Sequence, residues 1–186
     1  MRIEVEKKLF TVDEYHRMCE TGIIGFEERT ELIDGEIIKM SSPSTRHVAC
    51  ANRATTFFTE AFGRRAIVSI QNPLLLNLYN EPQPDVVVLK PRLDFYSSTR
   101  FTPEHAFFVV EISESSLAFD RKVKLPRYAA SGAPEVWIED LRHDTLLVFR
   151  DLEDNTYKTC LTLHRGDSVS PSAFPGVVFN VDDLLG

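Results

Sequence analysis

Residues 82–124 contain Pro82-Gln83-Pro84-Asp85-Val86-Val87-Val88-Leu89, then Phe107-Phe108-Val109-Val110-Glu111-Ile112-Ser113, then Asp120-Arg121-Lys122-Val123-Lys124. Both apolar runs are continuous rather than alternating, the pattern of strands buried on both faces of a sheet. Each carries one carboxylate that a core does not tolerate alone. Asp85 opens the first run and Glu111 closes the second. A buried acid has to be paired, protonated or held by a cation. On neighbouring strands the two acids converge at one rim of the sheet, and the basic cluster that follows lies in the next helical segment.

The flanking sequence supplies the layers around these strands. Thr11-Val12-Asp13-Glu14 reads as a capping box that starts a helix ending near Gly22. Thr30–Ile33 and Glu36–Met40 are two β-prone runs joined by Asp34-Gly35, the dipeptide of a type I′ hairpin turn. Ser41–Thr45 is a loop ending in good N-cap residues. A helix follows from Arg46 to Phe62, closed by Gly63, with Val48, Ala51, Thr55, Phe58 and Phe62 on one face. Ala66–Ile70 and Leu74–Leu78 read as an antiparallel strand pair. After Ile112, Asp120 is placed as the N-cap of a helix from Arg121 to Ser131, with Pro126 kinking or shortening it. Glu135–Asp140, Thr145–Arg150 and Tyr157–His164 read as strands, with Asp151–Asn155 as a turn. Val177–Asn180 is a short strand before a last helical turn. The expectation is an α/β fold: a central mixed β-sheet flanked by helices, with an N-terminal β-hairpin and added C-terminal strands. At 186 residues it is expected to be one domain, 1–186, with its core at about 30–140.

Net charge is −7, which argues against a protein that coats nucleic acid indiscriminately. The charge is unevenly spread. Residues 1–36 hold ten acids and five bases, residues 37–134 eight acids and twelve bases, and residues 135–186 ten acids and four bases. The positive segment is the one that holds Asp85 and Glu111. Cys19, Cys50 and Cys160 form no metal or disulfide spacing, and the charged N-terminus (Arg2, Glu4, Glu6, Lys7, Lys8) is no signal sequence. No apolar run is long enough to span a membrane. A cytoplasmic protein with free thiols is expected.

Two carboxylates and a lysine are the inventory of a divalent-metal phosphodiesterase. Oxygen ligands with an incomplete shell suit Mg²⁺ or Mn²⁺, which keep waters and accept phosphate oxygens. No Gly-rich phosphate loop, nucleophile elbow or zinc spacing is present. Lys122 and Lys124 compete for the lysine role. Two residues apart on a helix, they point about 200° apart, so one of them faces the site. The alternative readings are a strand-initiating cap for Asp85, a solvated strand-end acid for Glu111 and a hairpin surface charge for Glu31. His47 reads as a first-turn polar residue or, beside Arg46, as a phosphate contact. Trp137, between Val136 and Ile138, reads as core.

Pro84-Asp85 followed by Glu111-Ile112-Ser113 resembles the PD-(D/E)XK, restriction-endonuclease-like nuclease superfamily. The chain as a whole resembles its Uma family of proposed endonucleases. That resemblance rests on Glu31-Leu32-Ile33-Asp34-Gly35-Glu36, Ser42-Pro43-Ser44 leading to His47, and the two acidic strands. It also rests on Asp120, Lys124 and Tyr128 in an Asp-x₃-Lys-x₃-Tyr helix, Gly132 before Glu135-Val136-Trp137-Ile138, and Pro175-Gly176. It implies a metal-dependent endonuclease acting on DNA as a homodimer. Asp85, Glu111, the carbonyl of Ile112 and Glu31 would be the metal ligands. Lys124 would stand in for the lysine that Ser113 replaces, with Lys122 as its rival, and His47 and Arg46 would contact substrate. The other readings are an inactive nuclease fold serving as an interaction module, for which the net charge speaks, and a nuclease for structured RNA or branched DNA.

Overall fold

The Thr11 hydroxyl accepts from the Glu14 N–H while the Glu14 carboxylate accepts from the Thr11 N–H, and α1 runs Val12–Glu20 behind this cap. In the computed structural model residues 6–186 are described; Arg2 and Glu4, part of the charged N-terminus noted above, lie outside them. The hairpin of β1 (Thr30–Ile33) and β2 (Glu36–Lys39) turns at Asp34 and Gly35, with φ of 52° and 74°, as a type I′ turn requires. A Cβ on Gly35 would also stand 2.7 Å from that of Leu9, so this turn needs glycine twice over. Ser44 caps α2 (Thr45–Phe62), whose inner face is Cys50, Ala51, Ala54, Phe58 and Phe62. Val48 is not part of that face: it is exposed, because the stripe drifts toward Cys50 and Ala54.

The central sheet has the order β3-β4-β5-β6-β7-β8. These strands are Ile67–Ile70, Val86–Leu89, Ala106–Ser113, Val136–Asp140, Thr145–Glu153 and Thr156–His164. Every pairing is antiparallel except β5 with β6, so the sheet is mixed. The β5–β6 crossover carries the helical segment 117–130. The strand expected at Leu74–Leu78 is absent. β3 pairs with β4 instead, and residues 72–83 cross to the hairpin, where Leu32 and Glu81 exchange backbone hydrogen bonds. The turn between β7 and β8 is also tighter than expected, at Asp154 and Asn155, both with positive φ. β9 (Ser168–Val169), β10 (Phe179–Asn180) and α5 (Val181–Leu185) complete the chain.

Phe58, Phe62, Phe108, Trp137 and Phe179 pack edge-on and stacked between α2 and one face of the sheet. Val87, Leu89, Val109, Val136 and Ile138 pack on the other face with Tyr128. No helix among the described residues is long and apolar enough to cross a membrane.

The crossover departs from expectation in a way that shapes the site. Helix begins at Leu117, as α3 (Leu117–Phe119), widens to a π turn over Asp120–Lys124, and continues as α4 (Leu125–Ala130). Asp120 is therefore inside the helical path and not its cap. The Leu125 N–H donates to the Asp120 carbonyl, five residues back. Pro126 explains the widening: in a regular turn its ring collides with the preceding turn's carbonyl, and a π turn makes room.

Candidate active site

Antiparallel pairing decides the geometry. Val86 lies opposite Val110, which sets Asp85, at the start of β4, across from Glu111, near the end of β5. The Asp85 Oδ2 accepts from the Ile112 N–H at 2.8 Å. Val109 and Ser113 direct their backbone groups toward β6, donating to Glu135 and accepting from Leu141. By strand alternation the Ile112 N–H and carbonyl therefore both point the other way, past the start of β4 and toward Asp85. A carboxylate and a backbone carbonyl thus share the rim with Glu111.

Lys124 reaches this rim from the last position of the π turn. Its Nζ lies 3.0 Å from Glu31 Oε2 and 3.2 Å from Glu111 Oε1. Glu31 comes from β1 and also accepts from the Gln83 N–H at 3.1 Å, so the hairpin is tied to the segment leading into β4. Tyr128, one turn beyond Lys124, donates its hydroxyl to Glu111 Oε1 at 2.5 Å. Asp120 Oδ2 accepts from the hydroxyls of Ser113 at 2.6 Å and Ser116 at 2.5 Å. Glu31, Glu111, Asp120 and Lys124 are each at most 5% exposed. Burial works against the Lys124 charge, but Glu111, Glu31 and Asp120 outweigh it and hold the ammonium pKa above its ordinary value. Burial pushes the Glu111 carboxyl well up, and Lys124 only partly opposes that. Three buried carboxyls share one ammonium, a cluster that a further cation would help to ionise.

The cleft over these groups has a volume of about 270 Å³. Its floor is Glu31, Asp85, Glu111, Ile112 and Lys124, and Arg29, Lys39, Ser41, Ser42 and Ser44 line its hairpin side. Arg29 and Lys39, which pattern reading passed over, place two cations beside an acidic floor. Arg29 precedes β1 and Lys39 ends β2, and nothing in their spacing marked them.

On the α2 side, His47 Nε2 lies 3.2 Å from Asp85 Oδ1. That hydrogen bond raises the imidazole pKa, with burial acting against it. Beneath, Cys50 donates its thiol to Glu139 Oε2 at 2.8 Å, while Glu139 Oε1 and His47 Nδ1 are buried without a partner. Glu139, two residues from Trp137 on the inner face of β6, was legible as an acid on a core-facing position. Burial lifts its carboxyl from 4.5 to about 8. Between those values the folded chain keeps a proton that the unfolded chain has released, so stability falls as pH rises through that window, by on the order of 5 kcal/mol. Glu139→Gln keeps an acceptor for Cys50 and is expected to flatten this dependence, leaving the variant the more stable form at pH 9. Urea unfolding at pH 6 and pH 9 checks it.

Two of the expected substrate contacts are elsewhere. Arg46 donates to the Leu141 carbonyl at 2.5 Å and to Asp144 at 2.6 Å, outside the cleft lining. Lys122 is exposed on the opposite side of the π turn from Lys124 and does not line the cleft. The donor set at the rim, carboxylate and carbonyl oxygen, has the chemistry of a Mg²⁺ or Mn²⁺ site. Among the described residues no three His, Cys, Asp or Glu side chains converge as a ready-made metal cage. The fit is to an ion that keeps several of its waters.

A six-stranded mixed sheet with two acids at one rim and a buried lysine from the crossover helix defines an α/β domain of the restriction-endonuclease-like class. Over residues 12–182 the chain matches the family described as “Uma2: Putative restriction endonuclease”, and it belongs to that family. A solved structure described as a “putative nuclease belonging to DUF820”, from Anabaena variabilis ATCC 29413, has the same fold. Its TM-score is 0.73 at 17% identity, over 95% of this chain and 97% of that one. No curated protein matches the chain. Family membership places the chain among nucleases, proteins whose substrate is nucleic acid.

Proposed function

We propose that the chain, folded as one domain, is a Mg²⁺- or Mn²⁺-dependent endonuclease that hydrolyses DNA phosphodiester bonds and acts as a homodimer in the cytoplasm. The observation that carries this reading is the meeting of Asp85, Glu111 and Lys124 at one rim of the cleft. Asp85, Glu111 and the Ile112 carbonyl would hold the ion, with Glu31 completing the acidic cluster. A bound divalent ion lowers the pKa of a coordinated water and takes up charge developing on the phosphate. The chain's own groups do the rest. Asp85 is held in place by the Ile112 N–H and by His47. Lys124, fixed between Glu31 and Glu111, aims an ammonium at the attacking water or a non-bridging phosphate oxygen. Arg29, Lys39 and the serines of 41–44 would cradle flanking phosphates. Attack is in line, and no side chain has to form a covalent bond. The free thiols of Cys19, Cys50 and Cys160 fit the cytoplasmic setting.

The test is incubation of the purified chain with supercoiled plasmid, single-stranded DNA, branched DNA and an RNA stem-loop, each with Mg²⁺ and with Mn²⁺. Nicked or linear plasmid is expected. Cleavage confined to RNA or branched DNA would change the substrate class. One observation favours a second reading, an interaction module on a nuclease fold: Lys124 already holds ion pairs with both Glu31 and Glu111. That reading predicts no cleavage of any substrate and no heat of Mn²⁺ binding by calorimetry.

A further inference from the structure

The two edges of the central sheet differ. β3 has four residues, while β8 has nine, Thr156–His164, with no proline, no glycine and Lys158 as its one fixed charge. A long edge with a single charge as its one interruption remains a template for another strand. The direction of its backbone groups follows from the pairings across the sheet. β5 residues 109, 111 and 113 face β6, so β6 residues 136, 138 and 140 face β7. Their partners 149, 147 and 145 face back, which leaves Leu146 and Val148 to pair with Leu163 and Leu161 on β8. Lys158, Cys160, Thr162 and His164 therefore point their N–H and C=O groups away from the sheet. His164 is satisfied locally, since its N–H donates to Asp167 Oδ2 at 2.8 Å and its carbonyl accepts from the Asp167 N–H at 3.0 Å. Among the described residues, no other segment makes a backbone hydrogen bond to Lys158, Cys160 or Thr162.

We propose that this edge is the contact between two copies of the chain, β8 against β8 in antiparallel register about Cys160. The free row is self-complementary in that register. Lys158 falls opposite the partner copy's threonine at 162, Cys160 opposite its own counterpart, and Thr162 opposite lysine. No like charges face one another, and each of the three pairs exchanges two backbone hydrogen bonds. A two-fold axis through Cys160 closes the assembly as a dimer and joins the two sheets into one. The contact takes up the dimer of the proposed function. It is read by hydrodynamics and cross-linking, so its failure leaves the nuclease chemistry, which cleavage tests, untouched.

The register makes a chemical prediction. Residues exchanging both hydrogen bonds have Cα atoms about 5.5 Å apart, inside the range a disulfide spans. In a Cys19→Ser background, which removes the other exposed thiol, diamide is expected to link two chains through Cys160. Each pair of thiols gives up two protons and two electrons to the oxidant as the S–S bond forms. Cys160→Ser should abolish the link and leave the dimer in sedimentation equilibrium intact. Thr162→Pro removes an outward N–H that the monomer does not use and should yield monomer. Thr162→Lys sets lysine against Lys158 on each side and should weaken the dimer about fivefold. Adding Lys158→Glu should restore it, a rescue that a folding defect would not show. A monomer at about 100 µM, a concentration at which even a dissociation constant of about 1 mM leaves detectable dimer, would overturn the proposal. So would a dimer indifferent to Thr162→Pro, or one that cross-links in the Cys19→Ser, Cys160→Ser double variant.

Discussion

Lys124→Met is expected to lower the free energy of unfolding by about 3–5 kcal/mol and to abolish cleavage. Removing one partner from a buried ion cluster leaves uncompensated charge, and here it leaves two carboxylates, Glu31 and Glu111, each losing the ammonium that sits 3.0–3.2 Å away. Methionine fills much of the stem's volume, so the packing loss is small beside the electrostatic one. The two effects separate in the triple variant Lys124→Met, Glu31→Gln, Glu111→Gln. Its buried groups are neutral, and replacing an ion cluster by neutral groups is often close to neutral in stability. Unfolding in urea should recover most of the loss, and plasmid cleavage should not recover at all. If the triple variant stayed as unstable as the single one, Lys124 would be holding the fold through packing rather than charge.

Asp85→Ala should behave in the opposite way. Asp85 is the least buried of the four acids at the site and makes two contacts, to the Ile112 N–H and His47. Losing a charge-assisted hydrogen bond costs about 1.5–3 kcal/mol, which a domain of this size tolerates. Cleavage is expected to drop by on the order of 10²–10³ or more, the scale set by deleting one stabilising group at a reacting centre. Mn²⁺ affinity should weaken by at least about tenfold, the loss already typical of groups outside the coordination shell. A variant with wild-type melting, wild-type Mn²⁺ binding and wild-type cleavage would remove Asp85 from the site.

Much of this site could be read from the chain because its parts violate simple rules. Asp85 and Glu111 stand out as acids in runs of Val, Phe and Ile, and Asp34-Gly35 fixes the hairpin by turn chemistry alone. Helical angle said that one of Lys122 and Lys124 faces the site, and the resemblance favoured Lys124; Lys122 is exposed and Lys124 buried. What escaped reading depends on tertiary pairing. Leu74–Leu78 has strand composition, yet β3 found its partner in β4, and the segment became the bridge that docks the hairpin. Asp120 looked like a cap because nothing local announces that helix begins at Leu117 or that Pro126 forces a π turn. Arg46 was itself an expected substrate contact, but its side chain turns to Leu141 and Asp144. Arg29 and Lys39 enter the picture only once the hairpin is placed in space, whereas Glu139 carried a signal, an acid two residues from a core-facing Trp137, that was not used.

The central claim is that the rim formed by Asp85, Glu111 and Ile112 holds a divalent ion in reach of Lys124. Crystals soaked in Mn²⁺ and measured for anomalous scattering address it directly. The account predicts one strong peak about 2.0–2.3 Å from a carboxylate oxygen of Asp85 and of Glu111 and from the Ile112 carbonyl, completed by waters. No peak at that rim, or Mn²⁺ bound only at surface carboxylates away from the cleft, would contradict it.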